Sequence, residues 1–321
     1  MKIIFAGTPD FAAKHLEIIL QSNHEVLSVL TQPDRESGRG KKINLSPVKQ
    51  TALDNDIHVY QPESLKIEGV FDKLKNTDPD LILVVAYGLL VPKDILKLPK
   101  FGCVNIHASL LPRWRGASPM EHAIMSGDNN IGISYMEMSQ GLDEGPVYEM
   151  HECPLEQNDT LSSVEEKFIQ LSEKKLVPFL DNLESGTIKH QAQDENKATF
   201  SPKIDKKLLQ IDWQGNSSTE IIRKINALSS KYGTHTFLGG KRIKIHKAQS
   251  FESDINLDPG YISTKDDQLV VFCKDASAVL IEQVQMEGKN KVSGQEFITA
   301  YEKSEWQLTR FDTGAYWLDQ L

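Results

Sequence analysis

The sequence predicts an α/β fold: a Rossmann-like, doubly wound and mostly parallel sheet, followed by a small C-terminal β-barrel domain of OB-like type. Short apolar runs alternate with helical periodicities through the first half of the chain, the pattern of strands covered by helices on both faces. Beyond an irregular polar stretch, several short strands follow one another at turn-separated spacing, which suits a barrel. A length of 321 residues favours two domains. The boundaries expected are 1–188 for the first domain, 189–207 for a linker and 208–321 for the second.

The elements follow in order. Lys2 to Ala6 is a strand, Asp10 to Gln21 a helix, Glu25 to Thr31 a strand, and Pro47 to Leu53 a helix. Ile67 to Lys75 continues as helix, Leu81 to Ala86 as strand, Val104 to His107 as strand and Ser118 to Met125 as helix. Ile131 to Met138 and Val147 to Cys153 resemble an antiparallel pair, and a long helix from about Leu161 to Leu183 closes the domain. Gly186 to Lys207 lacks a sustained apolar period and reads as a linker. A helix near Ser217 to Leu228, strands near Thr234 to Phe237, Arg242 to His246, Gly260 to Ser263, Leu269 to Phe272 and Ala278 to Gln283, and a helix near Gly294 to Tyr301 complete the chain.

Composition bounds the function. With 39% hydrophobic and 25% charged residues the chain belongs among globular proteins. No run approaches the roughly 18 to 20 apolar residues a bilayer requires, and Met1 to Phe5 enters a strand directly rather than a signal peptide, so a cytoplasmic location without membrane association is expected. Three widely spaced cysteines, Cys103, Cys153 and Cys273, suggest neither a disulfide framework nor a zinc site. A net charge of −9 argues against indiscriminate polyanion binding, although a local basic patch meets a phosphate backbone regardless of the total.

The first strand ends in Gly7-Thr8-Pro9-Asp10, where a dinucleotide-binding protein carries a glycine-rich phosphate loop. Only one glycine is present. Pro9 removes a donor and Asp10 places negative charge where a phosphate sits, so a nicotinamide cofactor is disfavoured and Asp10 is expected to cap the helix.

Asn105 and His107 lie two residues apart in an alternating run, so both project from one face of a strand. About thirty residues later comes Gly141-Leu142-Asp143-Glu144-Gly145. An amide, an imidazole and a carboxylate suit acyl transfer to an amine: Asn105 and a protonated His107 stabilise the developing oxyanion, and Asp143 accepts the proton. The substrate amine supplies the nucleophile, so no catalytic serine or cysteine is needed.

Asn-x-His-x-Ser-Leu-Leu-Pro-x-x-Arg-Gly-x-x-Pro, from Asn105 to Pro119, with Gly-x-Asp-x-Gly at Gly141 to Gly145, resembles the 10-formyltetrahydrofolate-dependent formyltransferases. Gly7 to Ala12, Thr31 to Arg35 with Gly38 to Lys42, and Val84 to Gly88 are similar to the branch that formylates methionyl-initiator tRNA. The resemblance implies that Asn105, His107 and Asp143 are the catalytic trio. It also implies that Ser109, Leu110, Leu111 and Pro112 line the folate site with a cis Leu111–Pro112 bond. Backbone around Tyr87, Gly88, Leu89, Leu90 and Val91, and around Gln140 and Leu142, would then hold the pterin. The implied donor is 10-formyltetrahydrofolate as co-substrate, without a metal, and the implied acceptor is the α-amino group of methionyl-initiator tRNA, bound by a monomer.

Pro33 to Pro47 carries Arg35, Arg39, Lys41 and Lys42 among glycines, a cationic loop able to order against a phosphate backbone. By the resemblance it enters the tRNA acceptor stem, with Arg39 at the key position. Lys203, Lys206 and Lys207 in the linker, and Lys241 and Arg242 in the second domain, extend the expected track. Arg242, Lys244 and His246 alternate onto one strand face. Arg113 and Arg115, flanking Trp114, are expected near the terminal nucleotides or the folate tail. The alternatives are another enzyme on the same folate, either a hydrolase or dehydrogenase module or an amino-sugar formyltransferase, and a non-catalytic RNA-binding protein on the same scaffold.

Overall fold

A computed structural model describes residues 1–37, 42–255, 257–302 and 310–312. The chain forms two compact units. The first comprises Met1–Pro119, Asn130–Pro154 and Val164–Ser201; the second comprises Met120–Asn129, Leu155–Ser163 and Pro202–Leu321.

The first unit is built on a seven-stranded sheet in the order Val147–Pro154, Asn130–Glu137, Cys103–His107, Leu81–Val85, Lys2–Gly7, Glu25–Leu30, Val59–Tyr60. The last five run parallel, and the first two are antiparallel additions beside Cys103–His107. The central strands are continuous apolar runs because both faces are covered: Ile3, Ile4, Phe5, Leu81, Leu83 and Val104 are fully buried, each contributing on the order of 1.5–3 kcal/mol. Lys2–Gly7 pairs with Glu25–Leu30 on one side and Leu81–Val85 on the other. The chain therefore changes direction across the sheet there, and a crevice opens at the strands' carboxyl ends.

The helix Asp10–Leu20 buries Phe11, Ala12, Ala13, His15, Leu16 and Ile19. Its N-cap is Pro9, so Asp10 does not cap; it lies in the first turn, where its charge opposes the positive helix end. Pro47–Asp54 is capped by the Ser46 hydroxyl, which accepts from the Lys49 amide. The helix expected from Ile67 starts later, at Val70, because Gly69 holds a left-handed φ of 81°. Leu161–Glu184 is the long helix expected.

In the second unit the antiparallel strands His235–Leu238, Lys241–Phe251, Ala278–Met286, Val270–Phe272 and Ile262–Ser263 pair in that order, and Lys291–Ser293 also pairs with Ala278–Met286. Ser218–Leu228 opens with a reciprocal capping box between Ser217 and Glu220. It packs Ile221, Ile222 and Ile225 into a core shared with Trp213, Ile243, Ile245, Val284 and Phe297. Arg242, Lys244 and His246 do alternate with the buried Ile243 and Ile245. The register then shifts between Ile245 and Lys247, and the alternation stops. Among the described residues no helix is long and apolar enough to cross a membrane.

Candidate functional site

Asn105 and His107 lie on the strand Cys103–His107, hydrogen-bonded between Leu81–Val85 and Asn130–Glu137. A strand so flanked cannot slip register without exposing its apolar set. Both side chains share a face while Ile106, 3% exposed, enters the core on the other.

The His107 ring is buried and held at one nitrogen. Nε2 lies 3.0 Å from the carbonyl of Trp114; a carbonyl only accepts, so Nε2 carries hydrogen and donates. Nδ1 faces Asp143 Oδ2 at 3.7 Å. A loop closure of about 0.7 Å brings that pair to hydrogen-bonding distance. Asp143 sits in the left-handed region at φ 50°, tolerated by its short polar side chain, and its Oδ2 accepts from the Gly116 amide at 2.8 Å. The strand and the distant turn thus bring His107 and Asp143 together, and the Asn105 carboxamide stands on the same face of the strand with no hydrogen bond to a described residue.

Of the residues expected to hold the folate, Tyr87 to Val91 and Ser109 to Pro112 follow the carboxyl ends of parallel strands, and Gln140 and Leu142 lie in the turn after the antiparallel strand Asn130–Glu137. Tyr87 is 1% exposed; its ring belongs to the core, and burial pushes its hydroxyl up to about 12. Its carbonyl accepts from the Thr8 hydroxyl at 3.1 Å and the Gln32 amide at 3.0 Å, which leaves Gly88, Leu89 and Leu90 as the more exposed part of that loop. Val91 is buried in the same core cluster. Leu90 and Leu142 are 66% and 60% exposed, large apolar side chains presented to solvent, and Gln140 is exposed too. The Leu111–Pro112 bond is cis. Its turn is pinned by the Ser134 hydroxyl, which accepts from the Leu111 amide and donates to the Ser109 carbonyl, and by the Ser109 hydroxyl, which donates to Arg113. Leu111 packs with Met136 and Val147, while Leu110 and Pro112 are half-buried.

The residues that hold this arrangement escaped the sequence reading. Arg115, expected to contact substrate, is 3% exposed. Its guanidinium forks onto Glu195, with contacts of 2.9 and 2.7 Å, which raises the pKa of Arg115 and lowers that of Glu195. It also donates twice to the Gln193 carbonyl oxygen, and the Gln193 amide nitrogen donates to the backbone carbonyls of Asp143 and Gly145 at 2.8 and 2.7 Å. Phe200–Ser201 pairs with Arg115–Gly116, the Ser201 hydroxyl donates to Trp114 O, and the Thr199 hydroxyl accepts from the Trp114 amide. Arg113 lies over the Trp114 ring, 4.3 Å from its centroid. The stretch read as linker carries these partners.

Of the basic residues expected to meet nucleic acid, Arg39 and Lys41 lie outside the described residues, and Lys42 is described by its backbone alone, pairing with Ser37 in a short hairpin. Arg35, Lys203, Lys206, Lys207, Lys241 and Arg242 are all exposed. Arg242 approaches Glu287 at 3.4 Å. Side chains of metal-ligating type meet at His24, Asp181 and Glu184, whose candidate atoms lie within 4.8 Å of one another. Glu184 there pairs with the Met1 amino group at 3.0 Å, so that group is a cluster of ion pairs.

Residues 1–180 match the model of the formyl transferase family, and residues 203–302 match that of the formyl transferase C-terminal domain. A methionyl-tRNA formyltransferase of Legionella pneumophila (strain Paris) is 38% identical over 300 residues, covering 94% of this chain and 95% of the relative. Another of that name, from Marinobacter nauticus, is 41% identical over 293 residues, 91% of this chain and 94% of the relative. Among solved structures, HypX from Aquifex aeolicus in complex with tetrahydrofolic acid superposes with a TM-score of 0.66 at 19% identity, covering 98% of this chain and 51% of that one. This chain therefore spans about half of HypX, and at that identity the likeness speaks for the fold alone.

Proposed function

The chain belongs to the formyl transferase family, and from that premise we propose that it moves the formyl group of 10-formyltetrahydrofolate to the α-amino group of methionyl-initiator tRNA, giving formylmethionyl-tRNA. The observation that carries this reading is the buried His107 ring, 3.7 Å from Asp143 and sharing a strand face with Asn105, at the carboxyl end of the parallel strands. The near full-length similarity to proteins named methionyl-tRNA formyltransferase supports the choice of acceptor.

The amine nitrogen attacks the formyl carbon and a C–N bond forms. The carbonyl oxygen gathers charge, and the Asn105 amide and the Nδ1 hydrogen of a protonated His107 donate to it; Nε2 is already committed to Trp114. Asp143 takes the proton released by the amine. The bond from the formyl carbon to N10 of the folate then breaks as the C=O re-forms, its electron pair stays on that nitrogen, which takes up the proton held by Asp143, and tetrahydrofolate leaves. The exposed Leu90 and Leu142 and the cis turn of Ser109 to Pro112 cover the folate ring, with Gly88, Leu89, Gln140 and the backbone near Tyr87 and Val91 completing that wall. No metal enters the scheme. In the same reading the sheet of the second unit closes into a small barrel, the protein works as a cytoplasmic monomer, and Arg35, Arg39, Lys41, Lys42, Lys203, Lys206, Lys207, Lys241 and Arg242 meet tRNA phosphates.

The test is transfer of labelled formyl from 10-formyltetrahydrofolate to charged initiator tRNA, with an amino-sugar nucleotide offered in parallel. Product on the tRNA, and a drop of about 10²–10³-fold in His107→Ala, are expected. Label only on the sugar, or undiminished turnover in the variant, overturns the proposal.

A further inference from the structure

We propose that Gln193 is a positioning residue for the transfer: through its amide nitrogen it holds the Asp143 turn in the conformation that aims the carboxylate at His107, with Arg115 and Glu195 fixing Gln193 in turn. The inference rests on the catalytic reading of Asn105, His107 and Asp143.

Asp143 has to be held from outside its own turn. Its φ of 50° is a conformation an aspartate tolerates but does not itself enforce, and the turn is otherwise rich in exposed residues, with Gly141, Leu142 and Glu144 all exposed. One side-chain amide bonds two carbonyls of that turn, those of Asp143 and Gly145, at 2.8 and 2.7 Å. A two-pronged clasp around Glu144 fixes the local curvature and hence the direction of the Asp143 side chain. The orientation of Gln193 is itself unambiguous. Its oxygen accepts from Arg115 Nε and Nη2 at 3.0 and 2.9 Å; an amide flipped by half a turn would set its NH₂ against a guanidinium and its oxygen against two carbonyls.

Arg115 is buried and bidentate on Glu195, so Gln193 is anchored to a side chain with little rotamer freedom. The neighbours of Arg115 finish the job. The Trp114 carbonyl accepts from His107 Nε2 and the Gly116 amide donates to Asp143 Oδ2, so three consecutive residues set the imidazole, the clasp and the carboxylate. A displacement of about 1 Å in such a pair costs on the order of 10²-fold in rate.

Three variants test this: Gln193→Ala, Gln193→Glu and Glu195→Gln. Gln193→Glu keeps the acceptor for Arg115 and loses the donor to the Asp143 turn. The measurements are kcat, KM for each substrate, the pH profile of kcat and the melting temperature. Expected is a fall in kcat of about 10- to 100-fold in both Gln193 variants, a displaced pH profile, and KM values within about twofold of the wild type. Glu195→Gln, which keeps one of the two acceptor oxygens for Arg115 and leaves the Gln193 donor in place, should lower kcat by less than either Gln193 variant. The proposal fails if Gln193→Glu turns over like the wild type, or if kcat across the three follows melting temperature and ignores the donor at 193. If the wild-type protein transfers no formyl group to charged tRNA, the functional reading beneath it fails instead, a separate outcome of the same assay.

Discussion

Replacing Gly116 by alanine tests how tightly the backbone around the site is specified. Gly116 has φ 122°, and a Cβ built there falls 2.7 Å from the Ser201 carbonyl oxygen. Two costs arise. The conformation belongs almost solely to glycine, and forcing another residue into it costs on the order of 1–3 kcal/mol. The contact also lies well inside van der Waals distance, so the strand Phe200–Ser201 must move away. That strains the bonds from the Ala117 and Ser118 amides to Ser201 O, now 2.8 and 3.3 Å, each worth about 1 kcal/mol net. A total loss of about 2–4 kcal/mol follows. Gly69→Ala is the internal control: its φ is 81° with no atom within 4 Å of the added Cβ, so only the conformational cost applies, about 1–2 kcal/mol. Urea unfolding of both variants gives the stability difference, and formyl-transfer kcat gives the functional one, since the Gly116 amide also holds Asp143 Oδ2. Equal stability of the two variants, or a destabilised Gly116→Ala enzyme with unchanged kcat, refutes the reasoning.

Two further outcomes follow from the same contacts. Asp143→Asn keeps an oxygen for the Gly116 amide but loses the charge facing His107 and the ability to take a proton; single-turnover transfer should fall by on the order of 10²-fold or more at an unchanged melting temperature, and a loss below threefold contradicts the assigned role. The His15 ring is buried, donates from Nδ1 to the Phe11 carbonyl and accepts at Nε2 from Ser172, and burial lowers its pKa to about 4. The unfolded ring therefore takes up its proton first. The contribution to stability is complete above about pH 6.5 and is lost as pH falls from there through 4, amounting to about 2 kcal/mol at pH 5. Urea melts at pH 7 and 5 should show that loss in the wild type and its removal in His15→Gln; an equal loss in both proteins contradicts it.

The fold was legible because the signals are local and repeated. Ile3 to Ala6 and Leu81 to Val85 are apolar on both faces, as only interior parallel strands are, and Asp10–Leu20 puts its apolar residues on one stripe. Where the reading slipped, a single residue was responsible: Gly69 in the left-handed region shortened one helix, and Pro9 took the cap position expected of Asp10. Asn105, His107 and Asp143 were legible as candidates for a similar reason, since two of them share one strand and the third sits in a compact turn. Their supports were not. Gln193 reaches Asp143 across 50 positions, Arg115 reaches Glu195 across 80 and Ser201 reaches Trp114 across 87, and no local pattern encodes contacts of that span.

Left-handed backbone recurs around the candidate site. Ala86 at φ 45°, Gly88 at 79°, Trp114 at 60° and Gly116 at 122° lie on the loops that follow Leu81–Val85 and Cys103–His107, and Asp143 at 50° lies on the turn between the antiparallel strands Asn130–Glu137 and Val147–Pro154. At Ala86, Trp114 and Asp143 this conformation costs free energy that the glycines at 88 and 116 are spared, and contacts from elsewhere hold three of the stretches: Gln32 and Thr8 on the carbonyl before Gly88, Thr199 on the Trp114 amide, Gln193 on the Asp143 carbonyl. Several of those holders sit in a stretch whose composition is that of a connector, polar and without period. A segment with no core of its own has its side-chain hydrogen bonds to spare. That is why residues 191–201 can look like a tether in the sequence and act as a brace around His107 and Asp143 in the folded chain.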